Sequence, residues 1–123
     1  MNHIEQINNA IAAHGLWKAR LRQAIETGKS DFTPSAVKPP NNCEFGKWLY
    51  GSIAENLKNT EYYRKVVKLH AEFHVEAARI LQLAIDGNKD EAMKGLQITG
   101  KYVTLSASLT SLMVQWKKFI EST

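Results

Sequence analysis

The sequence is poor in cysteine and proline, with one cysteine, Cys43, and three prolines among 123 residues. A single cysteine cannot form an internal disulfide, and beside several histidines it is typical of a metal ligand or a reactive thiol. No apolar run approaches the roughly 20 residues that a membrane-spanning helix requires. Residues 1–10 are polar and lack the basic stretch and apolar block of a secretory signal. These absences predict a cytoplasmic protein that does not insert into a membrane.

Basic residues outnumber acidic ones, which gives a formal net charge of +4 and a pI near 9.2. A nucleic-acid interface needs Lys and Arg clustered on one face or in one run. Here they are spread along the chain with acids between them, so we interpret them as solvated helix faces and expect no nucleic-acid partner. With 44% apolar residues, the chain can form one hydrophobic core, and we expect residues 1–123 to be a single domain.

Apolar residues recur at helical spacing in three long stretches, and no stretch alternates as a strand would. We predict one helix over residues 3–27 ended by Gly28, and a second over 60–87 with Thr60 as N-cap and Gly87 as stop. A third is predicted from Asn88, which with Glu91 resembles a capping box, to about Ile120. The broad apolar face of this last helix also favours a homodimer.

All three prolines lie within residues 28–42, which we predict to be a long loop. The next segment, residues 43–50, is predicted to form a short helix capped by Asn41 or Asn42. Cys43 then lies at its N-terminus, where the helix dipole favours a thiolate. The predicted fold is an all-α, antiparallel four-helix-type bundle, with three long helices and one short helix that carries the cysteine.

Two histidines, His70 and His74, lie four residues apart and therefore on one face of the second long helix. This spacing allows both imidazoles to reach one metal ion. His14 lies on the apolar stripe of the first helix, and Cys43 opens the short helix between them. Three imidazoles and one thiolate form a tetrahedral set suited to zinc. Taken singly, each histidine has an alternative reading as a hydrogen-bonded core residue, and Cys43 as an inert buried thiol.

The remaining candidates are residues around this set. His3, at a terminus, is the weakest candidate ligand, and Glu44, Glu72 and Glu76 are the acids nearest in sequence that could accept imidazole N–H groups. Several aromatic residues either form an apolar shell around the site or belong to the ordinary core, and the sequence leaves both readings open. These are Trp17, Phe45, Trp48 and Phe73.

Three blocks of the sequence, AHGLWKARL, CEFGKWLYG and LHAEFH, resemble in order and spacing the bacterial chemoreceptor zinc-binding (CZB) domain family. The resemblance extends over nearly the whole chain. It implies a cytoplasmic four-helix module that binds zinc through three histidines and one cysteine, which by position are His14, Cys43, His70 and His74. Members usually accompany a chemoreceptor stalk or a diguanylate cyclase, so the resemblance implies a chemoreceptor or cyclase partner, although the chain contains neither.

The resemblance also implies a sensory function rather than an enzymatic one, in chemotaxis or cyclic-di-GMP signalling. The signal is either zinc availability or oxidation of Cys43, since family members are linked to zinc responses and to hypochlorite sensing. A zinc ion with four protein ligands has no open position for a substrate. The alternatives are a structural zinc bundle, a partner-docking module and, less favoured, a mononuclear zinc hydrolase with Cys43 outside the coordination sphere.

Overall fold

The computed structural model describes residues 3–122, which are mostly helical and contain no strand. The predicted all-α class is therefore confirmed, whereas the antiparallel four-helix arrangement stays a prediction. The α-helices in chain order are α1 (His3–Gly15), α2 (Trp17–Thr27), α3 (Pro34–Val37), α4 (Glu44–Lys47), α5 (Glu55–Lys58), α6 (Glu61–Ile85), α7 (Lys89–Gly95) and α8 (Lys101–Glu121). A five-residue π-helix, Trp48–Ser52, directly follows α4.

The predicted first helix is interrupted, which corrects the continuous helix expected over residues 3–27. The break follows Gly15, and the backbone N–H of Leu16 bonds to the carbonyl of Ala13 in a tighter turn. Glycine is a weak helix former, and the exposed Leu16 gives little core contact to hold the junction straight. Gly28 does end α2, as predicted, in a left-handed conformation with φ of 72°.

The central element is α6, which was predicted almost to its bounds. The Thr60 hydroxyl accepts the N–H of Tyr63 as the expected N-cap, and Gly87, with φ of 82°, follows the C-terminus. The helix α6 packs against α2, α3, α7 and α8. Because it contacts elements from both ends of the chain, side chains on its buried face meet residues that are distant in sequence.

The predicted last helix is also two helices, α7 and α8, separated by residues 96–100. A Cβ added at Gly100 would lie 2.7 Å from the carbonyl oxygen of Gly95, so the turn closes where residue 100 has no side chain. Gly95 itself lets α7 approach Ile80 of α6, because a Cβ there would lie 2.9 Å from the Ile80 side chain. The expected capping box is wrong: the Asn88 side chain makes no cap hydrogen bond.

The loop between α2 and α6 contains more helix than expected. Pro34 begins α3, which Thr33 caps, and the predicted helix over residues 43–50 is a single α-turn that widens into the π-helix. Asn41 and Asn42 do not cap it, because Cys43 does so itself. Among residues 3–122, no helix is long and apolar enough to cross a membrane.

Candidate metal centre

The helix α6 supplies two buried histidines to one point in the core. His70 is fully buried and His74 is 3% exposed. Their Nε2 atoms lie 3.0 Å apart, as expected for side chains one helical turn apart. Two imidazole nitrogens at this distance repel each other unless a proton or a metal ion lies between their lone pairs.

Backbone carbonyls orient two of the three rings. The Nδ1–H of His14 donates to the carbonyl of Ala10 at 2.7 Å, within α1. The Nδ1–H of His74 donates to the carbonyl of Val37 in α3 at 2.8 Å. A carbonyl only accepts, so Nδ1 carries the proton in both rings and each Nε2 presents a lone pair. The long loop therefore serves the site by holding His74.

The thiol of Cys43 completes the cluster from the N-terminus of α4. Its Sγ lies 3.4 Å from Nε2 of His70 and 3.5 Å from Nε2 of His74. The sulfur also accepts the N–H of Gly46 at 3.3 Å, so one atom caps the helix and faces the histidines. The cap fixes the position of the sulfur relative to α4.

One donor atom from each of His14, Cys43, His70 and His74 lies within 4.8 Å of the others. In a tetrahedral zinc site the ligand atoms are separated by about 3.3 Å for two nitrogens and about 3.6 Å for nitrogen and sulfur. The three distances among Cys43, His70 and His74, at 3.0, 3.4 and 3.5 Å, are close to these values, and the donor atom of His14 lies within 4.8 Å of the other three. The cluster therefore fits zinc in both donor type and spacing.

The histidines are held in the neutral form that a metal requires. Burial, together with the neighbouring His74 and His14, lowers the pKa of His70 to about 2. Burial also lowers the pKa of His14 to about 4, against the opposing effect of its hydrogen bond to Ala10. The pKa of His74 is lowered by burial as well. At neutral pH all three rings therefore keep a lone pair for coordination.

The Cys43 thiol, in contrast to the histidines, is held in the protonated form that does not bind a metal ion. Burial raises its pKa, and the N–H groups of Gly46 and Phe45 only partly oppose this effect. The helix N-terminus does favour the thiolate, as expected, but desolvation of the sulfur outweighs this effect. Without a cation nearby, Cys43 is a thiol whose S–H faces the Pro40 carbonyl at 3.7 Å. A bound metal ion would supply the charge that stabilises the thiolate.

The predicted aromatic neighbours divide into two groups. Phe45 meets His70 edge-on at 5.2 Å between ring centroids, and Phe73 meets His14 in the same way at 5.2 Å. Trp48 lies behind Phe45 and against Trp116 of α8, at 5.7 and 5.9 Å respectively. Phe45 and Phe73 thus contact the cluster directly, whereas Trp48 belongs to the core that supports it.

None of the three acids suggested by the sequence orients a histidine. Glu76 is buried but forms a bidentate ion pair with Arg79, at 2.7 and 2.8 Å. The largely exposed Glu44 carboxylate pairs with Lys47, and Glu72 has no hydrogen bond to a ring. The carbonyls of Ala10 and Val37 take that role instead. Carbonyls leave no residue-specific signal in a sequence, so sequence reasoning missed them.

A cavity of about 470 Å³ lies beside the cluster and is lined by His14, Cys43 and His74 but not by His70. Trp17, half-buried, forms part of its wall rather than contacting a ligand ring. Arg20 and Phe32 also line it, and neither was singled out from the sequence. We call this space the Trp17 cavity.

Comparison with known proteins agrees with this geometry. The family model for the chemoreceptor zinc-binding domain matches residues 14–81, a shorter span than the resemblance indicated, and it includes all four cluster residues. Neither the curated proteins nor the solved structures that were compared gave a match. The matched span exceeds half of the chain. The chain therefore belongs to the chemoreceptor zinc-binding domain family, and zinc is its cofactor.

Proposed function

We propose that this chain is the zinc-sensing module of a bacterial signalling protein, with His14, Cys43, His70 and His74 as the ligands. The observation that carries the proposal is the convergence of four donor atoms within 4.8 Å from three separate segments of the chain. Four protein donors complete a tetrahedral shell, which is typical of a non-catalytic zinc site. The family is a sensory, non-enzymatic one, which agrees with this assignment.

Zinc occupancy is one signal that this arrangement can report. The ligands join α1, α4 and α6, and bound zinc supplies the cross-link between them. His74 also holds α3 through the Val37 carbonyl. Without the metal, residues 43–47, which we call the Cys43 segment, are held by their contacts with the loop and the core. We therefore expect the position of this segment to depend on zinc.

Oxidation of Cys43 is the second signal. Cys43 is only partly buried and lines the Trp17 cavity, so a small oxidant can reach its sulfur. With hypochlorous acid, the thiolate is oxidised to sulfenic acid while the oxidant gives up oxygen and leaves as chloride. A sulfenic acid is a weaker ligand than a thiolate. Oxidation would therefore lower zinc affinity and cause the same change in the position of the Cys43 segment as loss of zinc.

The route to a partner runs through the last helix. The Cys43 segment continues into the π-helix, whose Trp48 packs on the fully buried Trp116 of α8. A shift of the segment would therefore reach α8. We propose that the domain acts in the cytoplasm, as a homodimer, on a chemoreceptor of chemotaxis or on a cyclase of cyclic-di-GMP signalling.

The test is the metal content of the purified protein together with zinc K-edge absorption. One zinc per chain with three nitrogen neighbours and one sulfur is the expected result. A metal with only nitrogen and oxygen neighbours, including water, would favour the hydrolase alternative. The absence of metal would overturn the proposal. A zinc-bound protein whose shape and oligomeric state do not change when zinc is removed would instead be a structural zinc bundle or docking module.

A further inference from the structure

The Trp17 cavity has aromatic and aliphatic walls beside the metal cluster. Trp17 and Phe32 stack at 5.1 Å between ring centroids, and Ala13, Ala36 and Val37 add aliphatic surface. A volume of about 470 Å³ is within the range of small-molecule sites in proteins. The residues of the wall come from α1, α2 and the loop, so three separate parts of the chain form the cavity together.

One cationic side chain, Arg20, lines this cavity. The guanidinium of Arg20 lies over both rings, 5.2 Å from the Trp17 centroid and 5.0 Å from the Phe32 centroid. Within residues 3–122 its side chain has no hydrogen bond or ion pair with an acid, and no other Lys or Arg lines the cavity. This cation–π contact holds the guanidinium beside the aromatic wall while its N–H groups remain available to an anion. The one carboxylate at the rim, Glu44, is largely in solvent beside Lys47.

We propose that the Trp17 cavity binds a small organic monocarboxylate with an aromatic or branched apolar body. The apolar body would occupy the space between the aromatic wall and the metal cluster, and the carboxylate would pair with Arg20. A neutral molecule of the same shape lacks the ion pair, and a cation is disfavoured by Arg20. Because Cys43, His14 and His74 line the same space, a bound ligand would cover the accessible side of the metal cluster.

The residues proposed to hold the carboxylate and its apolar body, Arg20, Trp17 and Phe32, are not zinc ligands, although they share the cavity with three of the ligands. The test is a titration of the zinc-loaded 123-residue protein with cinnamate, followed by nitrogen–proton correlation NMR. The chain has three tryptophans, and the indole signal of Trp17 is assigned by its loss in Trp17→Phe. We expect saturable movement of the Trp17 signal and little change for Trp48 and Trp116, which are buried outside the cavity.

Two comparisons isolate the role of Arg20. Cinnamamide, which lacks the charge, is expected to bind about fivefold more weakly than cinnamate, and Arg20→Gln should weaken cinnamate by about the same factor without affecting cinnamamide. Arg22→Gln is the matched control, since Arg22 lies on the same helix, is exposed and does not line the cavity. Its affinity for cinnamate should equal that of the parent.

Several results would overturn the cavity site. These are an unmoved Trp17 signal, equal binding of cinnamate and cinnamamide, and equal effects of the Arg20 and Arg22 substitutions. Zinc is measured in the same samples with a chromogenic chelator, and movement of Trp17 that follows zinc release would also refute it. A chain that holds no zinc but binds cinnamate through Arg20 would overturn the zinc proposal and leave the cavity site intact.

Discussion

Gly46 and Pro40 are in direct backbone contact: a Cβ added at Gly46 would overlap the carbonyl oxygen of Pro40. It would also lie 2.9 Å from the Cα of Asn41. Backbone atoms cannot move aside as a flexible side chain does, so α4 reaches the loop only because residue 46 is glycine. Since the N–H of Gly46 also donates to Sγ of Cys43, this contact helps to determine the position of the thiol.

Gly46→Ala should therefore displace α4 and weaken zinc binding by tenfold or more. Overpacking at a buried position typically lowers the free energy of unfolding by about 1–3 kcal/mol. Zinc affinity is measured by competition with a chromogenic chelator, and stability by urea denaturation. Gly51→Ala is the control, because a Cβ there meets no atom within 4 Å. Parent-like zinc affinity in Gly46→Ala would show that the contact does not position Cys43.

Cys43→Ala should bind zinc more weakly and lose the response to oxidants. The three histidines still offer nitrogen donors, but the anionic ligand and its oxidisable sulfur are gone. Zinc release is followed with the same chelator after addition of hypochlorite, in both the parent and the variant. The parent should release zinc and Cys43→Ala should not respond above its own background. Equal oxidant-dependent release from both proteins would refute the redox mechanism.

The helices that sequence patterns predicted best are those with a clear signal at both ends. The Thr60 cap and the left-handed Gly87 define α6, and its apolar spacing placed His70 and His74 on a buried face. The breaks at Gly15 and Gly100 were missed, because the apolar stripe continues past each of them and tertiary contacts decide whether a helix bends. At Gly100 the chain turns back on the carbonyl of Gly95, five residues earlier, and the apolar spacing gives no sign of this turn.

The metal cluster was predictable because each candidate ligand interrupts an apolar stripe or a helix start with an unusual residue. The hydrogen bonds that orient His14 and His74 could not be predicted, because their acceptors are backbone carbonyls and any residue could provide them. The Trp17 cavity depends on how the loop folds over α2, through a contact between Trp17 and Phe32, fifteen positions apart. Such contacts arise from tertiary structure and have no periodic signature.

Tyr63→Phe should loosen the π-helix that follows the cysteine. The Tyr63 hydroxyl donates to the carbonyl of Leu49 at 2.9 Å and so ties this segment to α6. Its removal should lower the free energy of unfolding by about 1 kcal/mol and weaken zinc binding slightly. Tyr62→Phe is the matched control, because the Tyr62 ring packs against Phe119 and, within residues 3–122, its hydroxyl forms no hydrogen bond. Equal stability of the two variants would contradict a role for this hydrogen bond.

The metal-free protein should lose stability as the pH falls below about 6.5. Burial lowers the pKa of His14 to about 4 and of His70 to about 2, so the folded protein binds fewer protons than the unfolded chain below pH 6.5. Stability therefore rises with pH across this window and is lost on acidification. At pH 5.5 the loss is about 1 kcal/mol for each histidine that stays neutral. Urea denaturation at pH 7.5 and 5.5 measures it, and unchanged stability would contradict burial of neutral rings.

Zinc itself should stabilise the folded chain, because the complete set of donors exists only when α1, α4 and α6 are assembled. A ligand present at about 1,000 times its dissociation constant, and bound only by the folded state, adds about 4 kcal/mol. Thermal denaturation with and without zinc tests this, and His70→Ala should lose most of the increase in Tm. His3→Ala is the control, since His3 lies outside the cluster and should respond as the parent does. If both variants lost the same part of the zinc-dependent increase in Tm, the position of the histidine would not matter. Zinc would then not be bound specifically at the cluster.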